Sequence, residues 1–199
     1  MTHQVTLHKS ADYEVQPWKN GQGTTTEISR AYGPGASGDF IWRLSIADIT
    51  QDGPFSIFAG IDRTLMLLSG QGIELSFDPD EEPVKLEQAY SFHVFDGDQA
   101  VDCRLIDGLT RDFNVMTRQG LVRHEFEVLS DMNRQYRLEN NGQTLLIFCL
   151  GKALTVMVSG TCYRLDHHDT IEINFSADAP VFLSPEVGAA CAVIKMHPC

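Results

Sequence analysis

Apolar and polar side chains alternate through most of this chain, most clearly in residues 39–72, DFIWRLSIADITQDGPFSIFAGIDRTLMLLSGQG. Successive side chains of a strand point to opposite faces, so across 41–47 Trp42, Leu44 and Ile46 share one face, and Arg43 and Ser45 the other. Asp52-Gly53-Pro54 and Gly60-Ile61-Asp62 read as turns, because Gly and Pro supply the backbone angles a reversal needs. Arg63 opens a second strand over 64–68, closed by the turn Ser69-Gly70-Gln71-Gly72. Two arginines on neighbouring strands can converge on one cavity; the plainer reading of the spacing is that each meets a carboxylate and ties strands together. Spacing alone leaves both readings open.

Residues 4–17 alternate weakly and predict a first edge strand. In WKNGQGTTTEI, residues 18–28, Asn20-Gly21 and Gly23 permit positive φ and close backbone approach ahead of a β-branched run. No GK[ST] ending and no helical spacing follows, which argues against a phosphate loop. Residues 31–39 form a surface connection. Further strands are expected over 73–77, 90–95, 101–106 and 109–118, then over 122–129, 144–150, 153–158, 161–165, 170–175, 180–183 and 190–196. DPDEEP, residues 78–83, has the composition of a solvated loop tip. On the 109–118 strand Asp112, Asn114, Met116 and Arg118 share a face, so it either faces water or lines a polar pocket. Residues 131–139 alone suggest a helix. Many short strands between Gly, Asn, Asp and Pro turns predict an all-β sandwich or barrel. The hairpins LSGQGIEL and VSGTCYRL, about 90 residues apart, point to two similar halves.

Composition narrows the class. With 199 residues, 43% hydrophobic and 21% charged, the chain can bury a full core in one large or two small domains. No apolar run approaches the ~18 residues of a membrane helix, and the first residues lack a signal-peptide pattern; we expect a cytoplasmic protein with no membrane partner. Five cysteines, an odd number without a CxxC pair, suit reduced thiols. Lys plus Arg number 15 against 27 Asp plus Glu, a net charge of -12. That field repels nucleic acid, and an anionic ligand would have to be held by local arginines.

Five blocks, WKNGQGTTTEI, FIWRLSIADI, DGPFSIFAGIDRTLMLLSGQG, FDGD and DFNVMTR, follow one another within residues 1–120 and together resemble the HutD/Ves family of bicupin-like proteins. After Arg118 the similarity is to the strand pattern alone. The resemblance implies an all-β fold of two double-stranded β-helix units (cupin, jelly-roll barrel) in one chain, a bicupin. We place the units at residues 1–120 and 121–199, the strands of one completing or covering the other. The resemblance also implies an association with histidine utilisation and binding of formylglutamate. Carried over residue by residue, it points to Trp18, Asn20, Thr24, Glu27, Trp42, Arg43, Ser45, Arg63, Asp96, Asp98, Asp112, Asn114 and Arg118, gathered around a pocket in the first unit. Gln22 stands where the family often has a smaller residue, which argues against close backbone approach there. His93 stands where an apolar residue is expected and reads as a hydrogen-bonded strand histidine.

Cupin enzymes hold a metal with an HxH pair, a carboxylate and a further histidine. The corresponding stretch here, GPFSIFAGID, has no histidine. The other histidines are scattered, and His167 and His168 should point to opposite faces of a strand. No Ser or Cys lies in a GxSxG context. We therefore expect no metal, no cofactor, and a protein that binds or senses a small acid through Arg43 and Arg63 rather than an enzyme. The alternative is a metal-independent isomerase or hydrolase acting on a small polar acid or sugar, with Glu27, Asp112 or His93 as acid or base. A third reading is a scaffold whose polar faces are structural. The sequence does not fix the oligomeric state, and a homodimer is compatible with it.

Overall fold

The computed structural model describes residues 3–18, 21, 23–33, 40–140, 144–176 and 179–199. Among them the one helical element is the three-residue 3-10 turn Ser10–Asp12, and the fold is otherwise antiparallel strands and their connections. The helix suggested at 131–139 is extended instead, in the strands Val122–Met132 and Tyr136–Leu138. Its apolar residues, Met132, Tyr136 and Leu138, pack into a core between sheets, and that burial overrides the local spacing.

The chain forms two compact units, Glu14–Arg123 and Met1–Tyr13 with His124–Cys199. In the first, a six-stranded sheet runs in the order Glu14–Pro17, Gly23–Tyr32, Phe40–Ile49, Thr110–Arg118, Ile61–Ser69 and Phe92–Asp96. A four-stranded sheet of Gly53–Pro54, Asp102–Leu105, Ile73–Ser76 and Val84–Leu86 belongs to the same unit. Leu65, Leu67 and Phe95 from the larger sheet and Ile73, Leu75, Leu86 and Cys103 from the smaller one pack into one core. Gly53 and Pro54, read as part of a turn, are a two-residue edge strand opposite Asp102 and Cys103. An edge is where a proline costs the ladder least.

In the second unit the larger sheet is His3–His8, Thr170–Phe175, Thr144–Cys149, Ala189–Pro198 and Val122–Met132. The smaller is Tyr136–Leu138, Val181–Pro185, Leu154–Val158 and Thr161–Leu165, and Ile147, Val156, Ile171, Ile173, Val181 and Val193 fill the core of this unit. The stretch 4–17, expected as one edge strand, is two strands in different sheets. His3–His8 pairs with Thr170–Phe175 from His3 opposite Phe175 to His8 opposite Thr170. Lys9 Nζ then lies 2.6 Å from Asp169 Oδ2. Residues 1–13 thus belong with the second unit, whereas a division at 120 assigns them to the first; a pairing across more than half the chain leaves no local pattern to read. His167 and His168 do not divide across a strand: they sit in a turn with ring centroids 3.7 Å apart, His168 at φ 65°. No helix among the described residues is long and apolar enough to cross a membrane. All five cysteines are free thiols, Cys103, Cys149 and Cys191 buried and Cys162 and Cys199 exposed.

Candidate functional site

Strand Thr110–Arg118 lies between Phe40–Ile49 and Ile61–Ser69, and its register turns the period-two pattern into a polar patch. Asp112, Asn114 and Met116 stand opposite Ala47, Ser45 and Arg43 on one side, and opposite Leu67, Leu65 and Arg63 on the other. Directly opposed residues share a face. Arg43 and Arg63 therefore flank Met116 in one row, with Phe95 opposite Arg63 on the edge strand. A cavity of about 450 Å³ opens here. Arg43, Ser45, Ala47, Asp112, Asn114, Met116 and Arg63 line it from the sheet, with Pro17, Trp18 and Thr25 from one neighbouring segment and Pro54, Phe55, Ser56 and Phe58 from another.

Arg63 is 5% exposed. Its Nη2 donates to Asn114 Oδ1 at 2.8 Å, and Asn114 Nδ2 donates in turn to Asp112 Oδ1. The guanidinium carbon lies 5.4 Å from the ring centroids of Phe55 and Phe58 and 4.9 Å from that of Phe95. Such faces attract a cation but accept no conventional hydrogen bond, and Nε of Arg63 has no hydrogen-bond partner. Burial pushes the Arg63 pKa down to about 10, against the pull of Asp112 and with the repulsion of Arg43. Asp112 is 1% exposed. Burial pushes its carboxyl up to about 7 and outweighs the opposing effects of Arg63 and the Asn114 hydrogen bond; Asp48 adds to the rise.

Arg43 Nε approaches Glu27 Oε2 at 3.3 Å but outside hydrogen-bond geometry, and the other Glu27 oxygen takes Arg30 Nε at 3.0 Å. Burial lowers the Arg43 pKa, Glu27 opposes the shift and Arg30 adds to it. One carboxylate thus serves two guanidiniums, and the cavity carries two cationic side chains against one carboxyl that titrates near neutrality. Trp18 Nε1 donates to Thr25 Oγ1 at 2.7 Å, which fixes the indole on the cavity wall. A Cβ on Gly23 would fall on the Asp48 carbonyl oxygen and sit 3.0 Å from the Trp18 ring, so the tight approach in the glycine loop occurs at this residue.

Of the residues the resemblance singles out, Trp18, Arg43, Ser45, Arg63, Asp112 and Asn114 line the cavity. Glu27 stands beside Arg43 as its counter-charge. Thr24 instead donates to Asp48 Oδ2 at 3.2 Å, and Asp48 holds Arg111 Nε at 2.6 Å. Trp42 lies on the opposite face of the sheet, paired with Thr117, and is 5% exposed. It shares a sequence block with Arg43, but adjacent strand residues point apart. Arg118 donates from Nε to the Phe40 carbonyl at 3.4 Å and does not line the cavity. Asp96 and Asp98 shape a turn: Asp96 Oδ1 accepts from Asp98 N at 2.9 Å, and Asp98 Oδ2 from Gly60 N at 3.1 Å. Asn20 and Gln22 lie outside the described residues. His93 has aromatic contacts, its ring centroid 5.2 Å from Phe77 and 6.1 Å from Phe95.

Sequence reasoning missed Phe55 and Phe58. Their signal was the PFSIF run, where a cupin enzyme would carry its HxH pair; here that stretch brings phenyl rings to Arg63. The lining contains one carboxyl and no His or Cys, and no cluster of three or more His, Cys, Asp or Glu suited to a metal occurs among the described residues.

Residues 10–190 match the HutD family. A Pseudomonas putida protein described as an uncharacterized 21.2 kDa protein in the hutC 3' region is 34% identical over 177 residues, 84% of this chain and 90% of that one. Protein Ves of Citrobacter koseri is 38% identical over 159 residues, 77% and 80% of the two chains. The structure of HutD from Pseudomonas fluorescens SBW25, in a formate condition, has a TM-score of 0.85 at 34% identity and covers 98% of this chain and 100% of that one. The family match spans residues of both compact units, and on that ground this all-β, cupin-like chain belongs to the HutD family.

Proposed function

We propose that this is a cytoplasmic bicupin that binds or senses a small carboxylic acid in the cavity of the 14–123 unit, with Arg63 and Arg43 holding the anion. The carrying observation is Arg63, a buried guanidinium fixed by Asn114 with an Nε–H left unpaired. Removing such a group from water without an ionised partner in direct contact is costly. A ligand carboxylate supplies charge-assisted hydrogen bonds worth roughly 1.5 to 3 kcal/mol each. Trp18, Phe55 and Phe58 offer apolar surface to the rest of the acid. Family membership supports formylglutamate as that acid, and the P. putida relative in the hutC 3' region supports a link to histidine utilisation.

One observation favours the metal-independent enzyme: Asp112, in the same cavity, has a carboxyl pushed up to about 7 by burial, the range a general acid or base needs. Titration calorimetry with N-formylglutamate, glutamate and formate, followed by NMR of the same samples, separates the readings. Binding predicts saturable heat and an unchanged ligand spectrum, with a gain of ~2.7 kcal/mol in stability at 100 times Kd. New product resonances select the enzyme. No heat and no stabilisation from any acid leave the polar faces structural.

A further inference from the structure

We infer that Asp112 is the resident counter-anion of the cavity, and that an acid binding at Arg63 takes up one proton at this carboxyl. The inference rests on the binding reading above and adds what happens inside the site. A single amide separates the two charges: Asn114 accepts from Arg63 Nη2 at 2.8 Å through Oδ1 and donates through Nδ2 to Asp112 Oδ1. Both ends of that amide are therefore assigned by their partners, since a guanidinium only donates. With the cavity empty of ligand, the carboxyl charge that balances Arg63 reaches it through Asn114.

A ligand carboxylate arriving at Arg63 places a second anion one side chain away from Asp112. Two carboxylates in one desolvated site oppose each other's ionisation, and the pKa of one of them is raised. Small carboxylic acids have an ordinary pKa near ~4, whereas burial already holds the Asp112 carboxyl at about 7. The proton therefore goes to Asp112.

The charged and titratable groups around Asp112 do not reverse that outcome. Arg63, from Ile61–Ser69, favours its charged form; Asp48, from Phe40–Ile49, opposes it and is itself tied to Arg111. Arg43, on the same strand as Asp48, shares Glu27 of Gly23–Tyr32 with Arg30. Cys103, from Asp102–Leu105, has its thiol pushed up to about 12, by burial first and then by Asp112 and Asp52. His93, from the edge strand Phe92–Asp96, has its pKa lowered by burial.

The sign follows from linkage. Below the Asp112 pKa the carboxyl is already neutral and acid affinity is flat, provided the ligand stays ionised. Above it each binding event must take a proton from solution, and affinity weakens by up to about tenfold per pH unit. The test is calorimetry on the full chain with N-formylglutamate and with formate, at about pH 6 and about pH 8, in buffers of different ionisation enthalpy. The expected result is close to one proton taken up per acid bound at the higher pH and much less at the lower. Asp112→Asn should abolish the uptake and flatten the pH profile. Binding with no dependence of heat on buffer at the higher pH overturns the inference while leaving the binding reading standing. No binding at either pH overturns both. Should Asp112→Asn fail to fold, the proton count on the unaltered protein decides the matter alone.

Discussion

Arg63 and Asp112 make opposite demands on pH. The folded state raises the Asp112 pKa from its ordinary 3.8 to about 7, so between these values it binds more protons than the unfolded chain. The sign is then fixed: this carboxyl lowers stability as pH rises through that window and contributes no further change above it. Urea midpoints measured from about pH 4 to about pH 8 should fall less steeply for Asp112→Asn than for the unaltered chain. Removing Arg63 tests the same pair from the other side. Without the guanidinium the carboxyl becomes still harder to ionise, so Arg63→Ala should cost ~1 to 2 kcal/mol near pH 6, where Asp112 is neutral. It should cost ~3 kcal/mol or more near pH 8.5, where a buried carboxylate loses its cation. Equal midpoint shifts at both pH values would show that the two groups are not partners. Arg63→Lys keeps the charge but not the planar fork that bonds Asn114 and leaves Nε free, so it should weaken acid binding at either pH. Charged residues on strand faces were the part of this site legible in the sequence, because a charge inside an alternating run has to be accounted for. Trp42 enters the site set through the family resemblance alone, whereas the alternation already puts it on the face away from Arg43, where it lies.

At the level of elements, strand order and register bring the site together. Strand Thr110–Arg118 follows its neighbours Phe40–Ile49 and Ile61–Ser69 in the chain and lies between them in the sheet. That insertion sets Met116 between the two arginines. Alternation within each strand predicts which residues share a face; it carries no information about which strand lies beside which, so the row Arg43–Met116–Arg63 could not be read from spacing. The glycine loop shows the same division. Sequence marked Asn20 to Gly23 as a place of close approach, but only the fold shows that Gly23 meets the Asp48 carbonyl and the Trp18 ring. Gly23→Ala must therefore move the cavity wall that Trp18 forms. It should destabilise by ~1 to 3 kcal/mol, as overpacking does, and weaken acid binding at least as much as Thr25→Val, which removes the acceptor of the Trp18 bond while preserving volume. Parallel denaturation and calorimetry on the two variants check this; an unchanged Trp18 environment in Gly23→Ala contradicts it.

For the whole molecule, the consequence of the unit division is that residues near the start stabilise strands near the end. His3–His8 supplies the edge strand beside Thr170–Phe175, and Lys9 with the backbone N–H of Ser10 holds the buried Asp169 carboxylate at 2.6 and 2.9 Å. Deleting residues 1–10 should remove both and cost roughly 3 kcal/mol or more, because a buried carboxylate then loses its cation and its Ser10 donor together with the edge-strand ladder. Lys9→Met alone should cost less, since Ser10 and the ladder remain. Denaturant midpoints of the two variants make the comparison, and a full deletion that costs no more than Lys9→Met argues against a stabilising role for the edge strand. The net charge of -12 opposes approach of any anion, yet the cavity gathers two guanidiniums, so attraction is confined to distances shorter than the ~8 to 10 Å over which salt screens. The chain also has two tryptophans, and the six-stranded sheet sets them on opposite sides: Trp18 half-buried on the cavity wall, Trp42 buried on the far face. Light absorbed by the first is emitted next to whatever fills the cavity, while the second emits from surroundings the ligand does not touch. The protein thus contains an optical reporter and its internal reference. Acrylamide should quench one of two emitting populations in the free protein, and a bound acid should shield that population.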